Sequence, residues 1–192
     1  MLFEQTLTIF QSIIIITVAA VVIFFWRFYV LRKKFFNRLT QLPSIVVLGD
    51  RFSGKTSLAR AITRNESLVH PLEDGLGINY LKDGNKKVQI IDANVTPEEV
   101  ERLKKLNVKS FIYVIDASSN SDSFGNQIKD FEKFKETLIG VKSFVVLNKI
   151  DAAEKRTINK IKDNFKNVYE VSTKTNEGLE ELRKSVLSSL SV

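Results

Sequence analysis

Ser44-Ile45-Val46-Val47-Leu48-Gly49-Asp50-Arg51-Phe52-Ser53-Gly54-Lys55-Thr56-Ser57-Leu58 decides the fold of this chain. It opens with the apolar run of a short buried strand, continues as a loop bounded by two glycines, and enters a helix at Lys55-Thr56. The spacing G-x-x-x-x-G-K-T is that of a phosphate-cradling loop. Gly49 lets the strand turn sharply, and Gly54 lets backbone N–H groups close around phosphate oxygens with no Cβ in the way. The positive end of the following helix points at the same anion. The expected phosphate site is therefore Gly49, Asp50, Arg51, Phe52, Ser53, Gly54, Lys55, Thr56 and Ser57. Lys55 is expected to reach the β- and γ-phosphates, and the Thr56 hydroxyl to ligate Mg²⁺. A chance match on an ordinary strand–turn–helix is the competing reading, and the motifs downstream weigh against it.

Upstream, residues 7–26 carry no charge, and 13–25 are almost wholly apolar. About 20 such residues at 1.5 Å each cross a hydrocarbon layer of roughly 30 Å. Trp26, Phe28 and Tyr29 follow where an interfacial aromatic belt belongs. A cleaved signal peptide, the rival reading, wants a positive start, whereas this start carries only Glu4. The bases Arg27, Arg32, Lys33, Lys34 and Arg38 come afterwards. That asymmetry predicts a single-pass anchor with its N-terminus out and the large domain in the cytoplasm. The expected division is a short extracytoplasmic segment (1–6), a transmembrane helix (7–29), a basic juxtamembrane linker (30–42) and a globular domain (43–192).

The net charge is +7, from 29 basic and 22 acidic residues. Five bases and one acid lie before Gln41, so the globular part is left with a small excess, and no nucleic-acid binding is expected. The basic flank interleaves Phe28, Tyr29, Leu31, Phe35, Phe36 and Leu39 with its charges, a composition suited to an anionic surface or to prolonging the span. Cysteine is absent, which excludes disulfides and thiol chemistry. The lone histidine, His70, makes a histidine-based metal site or triad implausible, and His70-Pro71 reads as part of a loop over 64–77.

After Leu42-Pro43, strands and helices alternate. Strands are predicted at 44–48, 78–81, 87–91, 110–115, 143–147 and 168–171. Helices are predicted at 55–63, 97–106 (capped by Thr96), 126–138, 152–164 and 177–190. Asp83-Gly84-Asn85 reads as a hairpin turn joining the second and third strands. The fold class is α/β, with a mostly parallel six-stranded sheet flanked by helices and one antiparallel strand from the hairpin. Phe124, Phe131 and Phe134 recur at helical spacing and are expected in the core.

Strand 143–147 runs directly into Asn148-Lys149-Ile150-Asp151, and strand 168–171 into Ser172-Thr173-Lys174. Both loops fall at the carboxyl ends of strands, where open α/β sheets bind ligands. Phosphate loop, Asp92, N-K-x-D and S-x-K in this order resemble the Ras-like small GTPase superfamily, from Ser44 to the end of the chain. That resemblance implies a P-loop G domain holding GTP or GDP with Mg²⁺. Asp151 would accept hydrogen bonds from the guanine N1–H and 2-amino group, a donor pair that adenine lacks. Asn148 would brace the loops, the Lys149 stem would lie over the base, and the backbone at Ser172, Thr173 and Lys174 would meet the guanine oxygen.

Two family motifs depart here. The D-x-x-G motif appears as Asp92-Ala93-Asn94-Val95. Asp92 is in place to hold Mg²⁺ through water, but the hinge glycine is replaced by β-branched Val95. Thr96 stands where many relatives carry a water-orienting glutamine, and Pro97 stiffens the segment. Between Arg64 and Val95 there is no threonine to serve as the first switch residue, and the stretch Glu73–Ile78 offers glycines instead. Either both loops act through backbone atoms in a slow GTPase, or nucleotide binding persists with weak or absent hydrolysis; the missing groups favour the second. No residue is singled out as catalytic. Arg51 is expected to face solvent or a partner rather than serve as a cis arginine finger. Asp116, after its strand, is expected to cap the Ser118-Ser119 turn, away from the phosphates.

An N-terminal span, a basic linker and a Ras-like domain together resemble the β-subunit family of the signal recognition particle receptor. This implies a membrane-anchored docking platform whose partner is the receptor's α subunit or an equivalent. A switching GTPase of trafficking, similar to the Arf-like branch, and a nucleotide-independent membrane scaffold are the alternatives.

Overall fold

Continuous apolar strands leave no face for water, and the chain buries both faces of one sheet under helices. The computed structural model describes residues 2–64, 70–71, 77–83, 86–93, 103–119 and 124–190. Two compact units divide it, Met1–Gln41 and Leu42–Val192.

The first unit is one helix, α1 (Leu2–Gln41). Residues 30–41 of the expected linker are thus helical, because nothing between Trp26 and Gln41 breaks a helix: no proline, no glycine. Within α1, Ile14–Leu31 is long and apolar enough to cross a membrane, a test that a signal sequence near an N-terminus also meets.

In the second unit the described elements are β1 (Ser44–Gly49), α2 (Lys55–Ile62), β2 (His70–Pro71), β3 (Gly77–Asp83), β4 (Lys86–Asp92), β5 (Val108–Asp116), α3 (Phe124–Thr137), β6 (Lys142–Asn148), α4 (Lys155–Lys162), β7 (Val168–Glu170) and α5 (Leu179–Ser188). The sheet order is β2-β3-β4-β1-β5-β6-β7. β1 pairs in parallel with β4 and β5, and β5–β6 and β6–β7 are parallel too, while β3–β4 is the antiparallel hairpin. The six expected strands are present. A seventh was not expected: His70-Pro71, read as loop, is a two-residue strand antiparallel to Gly77-Ile78. Proline is tolerated there because the strand lies at the sheet edge. The hairpin turn at Gly84-Asn85 and most of the helix expected over 97–106 lie outside the described residues.

Alternation along each strand sorts the core into two layers. Val46, Leu48, Phe111, Tyr113, Val145 and Leu147 face α3 and α4, where Phe131, Phe134, Ile158 and Ile161 meet them. Phe124, Phe131 and Phe134 are all buried, as expected. Ile45, Val47, Ile90, Ile112, Val114 and Val146 face α2 and α5, against Leu58, Ile62, Leu182 and Val186. Burying a side chain such as Leu58 contributes roughly 1.5–3 kcal/mol. Tertiary packing, more than propensity, therefore holds an eight-residue helix like α2.

Candidate functional site

Parallel pairing brings the carboxyl ends of β1, β4, β5 and β6 to one rim, in register Val47↔Asp92, Gly49↔Val114 and Asp116↔Asn148. The phosphate-cradling loop leaves β1 at Gly49, whose φ of 138° suits glycine. A Cβ there would overlap the Val114 carbonyl oxygen, so the loop passes hard against β5. Gly54, with φ of 91°, caps α2, and a Cβ on it would overlap the Asn148 side-chain amide. Both glycines are needed, each for φ and for space.

Lys55 is buried, and its ammonium donates to the Asp50 carbonyl at 2.6 Å, which arches its stem back over the loop. Leu58 N–H closes onto the Gly54 carbonyl at 2.8 Å, starting the helix. Burial, then the nearby Asp130 charge, push the Asp50 carboxyl above its ordinary value, with Lys55 opposing. Behind it the Tyr113 hydroxyl is buried without a hydrogen-bond partner among the described residues, and desolvation raises its phenol.

Thr56 and Asp92 meet directly, the Thr56 hydroxyl donating to Asp92 Oδ2. Ala93 N–H donates to the Val47 carbonyl at 3.1 Å, so the chain after β4 is still fastened to β1 at this point. A hydroxyl beside a carboxylate is an oxygen-only donor set that fits a hard cation such as Mg²⁺. Among the described residues no group of three or more His, Cys, Asp and Glu side chains could hold a metal alone. Mg²⁺ taken here would accordingly share its shell with phosphate and water. Val95, Thr96, Pro97 and residues 73–76 lie outside the described residues.

Asn148 is fully buried at the end of β6 and links two loops with one amide. Its Nδ2 donates to the Ser53 carbonyl at 3.0 Å, and its Oδ1 accepts from Thr173 N–H at 3.2 Å. Asp151, in a short 3₁₀ turn over Ile150–Ala152, accepts from the Ser172 hydroxyl at 2.7 Å, and the Lys174 ammonium stands 3.8 Å from its other oxygen. Ser172 itself accepts from the N–H groups of Lys174 and Thr175, which shapes the loop. Ile150 N–H donates to the Val171 carbonyl, tying the two loops together once more.

Lys149 adopts a left-handed φ of 64°, uncommon for a residue with a Cβ. Its ammonium crosses to the Phe52 carbonyl at 2.9 Å and pairs with Asp116. Phe52 is itself left-handed, with φ of 67°, its ring largely exposed beneath the Arg51 guanidinium. Arg51 is exposed, as expected. Sequence reasoning missed the larger part of Asp116. It does accept from the Ser118 N–H and hydroxyl, but it also anchors Lys149. Burial pushes its carboxyl up; the Lys149 and Ser118 hydrogen bonds outweigh this and hold it below the ordinary value. The overlooked signal is that the strand bearing Asp116 ends in register with Asn148, next to Lys149. Replacing it, Asp116→Ala, is expected to release Lys149. A half-exposed pair of this kind is worth about 1 kcal/mol, so nucleotide Kd should rise roughly fivefold. Titration calorimetry checks this, and no further loss should appear in a Lys149→Ala background. The pair's contribution to folding stability is present above about pH 4 and lost as pH falls through the lowered Asp116 value.

No family model matches the chain, and no curated protein matches it. Its fold does match solved structures. Nucleolar GTP-binding protein 1 of Plasmodium falciparum superposes with a TM-score of 0.61 at 22% identity, over 79% of this chain and 88% of that one. The G domain of the FeoB iron transporter of T. maritima gives 0.60 at 20% identity, over 78% and 99%. A GTP-binding protein of Sulfolobus solfataricus in complex with GDP gives 0.55 at 22% identity, over 91% and 60%. The fold is that of a P-loop GTPase G domain.

Proposed function

We propose that this chain is a membrane-anchored guanine-nucleotide-binding protein that serves mainly as a docking platform. The observation that carries the nucleotide-binding part is Asn148 joining the phosphate loop at Ser53 to the loop after β7 at Thr173, beside an Asp151 carboxylate ready to read a base edge. Under this reading Lys55 and the α2 N-terminus neutralise the phosphates, and Thr56 and Asp92 share Mg²⁺. Asp151 selects guanine, and Lys149 covers the base. Bound Mg²⁺ would screen charge between the β- and γ-phosphates.

The finer reading is a role like that of the signal recognition particle receptor β subunit, holding an α-subunit-like partner at the membrane. Its supports are α1, with Ile14–Leu31 apolar enough to span, and the substitution of Val95 for the hinge glycine. Hydrolysis is weak in this reading because neither a water-orienting glutamine nor a switch threonine is supplied. A switching GTPase is the second reading, favoured by the direct Thr56–Asp92 contact, which keeps the metal donors in place.

The test is titration of the detergent-solubilised full chain with GTP, GDP and ATP, with and without Mg²⁺. Guanine nucleotides should bind with Mg²⁺-dependent affinity and ATP should not. Similar GTP and GDP affinities support the platform, whereas strong GTP preference supports the switch, since a switch must bind its two states with different energies. Absence of guanine-nucleotide binding refutes both.

A further inference from the structure

The globular unit's small positive excess is not spread evenly. The register of the parallel strands sets their amino ends on one rim: Ser44 lies beside Gln89 and Val108, and Ser110 beside Lys142. At this rim stand six exposed lysines: Lys87 on β4, Lys104 and Lys105 just before β5, Lys109 on β5, Lys142 on β6 and Lys166 before β7. Lys87, Lys105, Lys109, Lys142 and Lys166 form no ion pair among the described residues. Among the described residues the acidic positions there are fewer: Asp83, Glu136 and Asp163. The opposite rim carries the carboxylates Asp50, Asp92, Asp116 and Asp151. Arg51, Lys55, Lys149 and Lys174 stand among those carboxylates, so the lysine rim is the more one-sidedly basic of the two.

The chain enters at the basic rim. Leu42-Pro43 precedes β1, and the Ser44 hydroxyl and buried Gln89 both donate to the Leu42 carbonyl, which pins the entry point to β4. Gln41 ends the helix that carries the apolar stretch. Gln41 lies ten positions beyond Leu31 on the helix, about 15 Å along its axis. Ile139, 86% exposed, lies in the turn between α3 and β6 at this same rim.

We propose that this lysine rim, Lys87 through Lys166, is a docking surface for an anionic phospholipid headgroup layer, holding the nucleotide rim away from the bilayer. Charge complementarity selects an anionic surface, and Leu42, the residue that follows the apolar helix in the chain, standing at this rim selects lipid over other polyanions. The inference rests on α1 being a membrane span, as in the proposed function.

The test uses full chain reconstituted in vesicles. Because the chain has no cysteine, Ile139→Cys and Ala152→Cys each give one labelling position, the second on the opposite rim. Headgroup-linked quencher should act about twofold or more on the label at 139 over that at 152 in phosphatidylserine-containing vesicles, and the gap should close near 0.5 M salt. Phosphatidylcholine alone should show no gap. Adding Lys105→Glu, Lys109→Glu and Lys142→Glu, all remote from the nucleotide rim, should close it as well. Equal quenching at both positions, or a gap indifferent to lipid charge or to these substitutions, overturns the inference while leaving the anchor intact. Extraction of the chain by alkaline carbonate would sink the anchor and this placement together.

Discussion

Asp151→Asn should turn a guanine-nucleotide site into one that prefers xanthine nucleotides. The carboxylate accepts only, and its two oxygens have lone pairs beyond those used by Ser172 and Lys174. An N1–H and a 2-amino group both find acceptors there. With asparagine one acceptor becomes an NH₂ donor facing another donor, so one bond is lost and a repulsion gained. Hydrogen bonds to charged groups are worth about 1.5–3 kcal/mol each, and two compromised bonds give a 10²–10⁴-fold loss on the order of magnitude scale. Xanthine carries a carbonyl where guanine carries the amino group and accepts from the new NH₂. The Ser172 hydroxyl can still donate to the retained oxygen, so the loop should keep its shape. Competition between GDP and XDP measures the exchange; unchanged preference would remove Asp151 from the base site.

Lys55→Ala should abolish most binding regardless of base. The ammonium has three protons, one spent on the Asp50 carbonyl. Its charge stands at the loop where phosphate oxygens would sit, and each bond to them is charge-assisted on both sides. Losing those bonds costs about 3–6 kcal/mol, a Kd rise of roughly 10²–10⁴-fold for GDP, GTP and XDP alike. Lys55→Arg should not rescue it, because a planar fork cannot fit a loop shaped around a point charge. The two variants separate the two ends of the site: one is selective for the base, the other blind to it. Equal Kd values for Lys55→Ala and the unmodified chain would take Lys55 out of the phosphate site.

Those residues were legible because their chemistry is local. A glycine-bounded loop between an apolar run and a helix, and N-K-x-D directly after another apolar run, need no tertiary information to be placed at strand ends. What stayed hidden depended on register or distance. His70-Pro71 became a strand only because Gly77-Ile78 offers it an edge. Asp116 was read through its neighbour Ser118, whereas its stronger partner Lys149 lies 33 positions away. The linker looked like a boundary by composition, yet composition does not stop a helix that has no breaker. The lysine rim is invisible in sequence, since residues from 87 to 166 fall together only once the strands run parallel.

Asn148 carries one more consequence. A single buried amide fixes the spacing between the loop at Ser53 and the loop at Thr173, so under the proposed function the site works as a caliper whose two jaws, at phosphate and base, keep one separation. A molecule filling both jaws has its second contact made at high effective concentration by the first. A free base or a pyrophosphate touches one jaw and gains none of this. Such a site discriminates against fragments far more than against whole nucleotides, and release is slowed because a jaw that opens can close again while the other still holds.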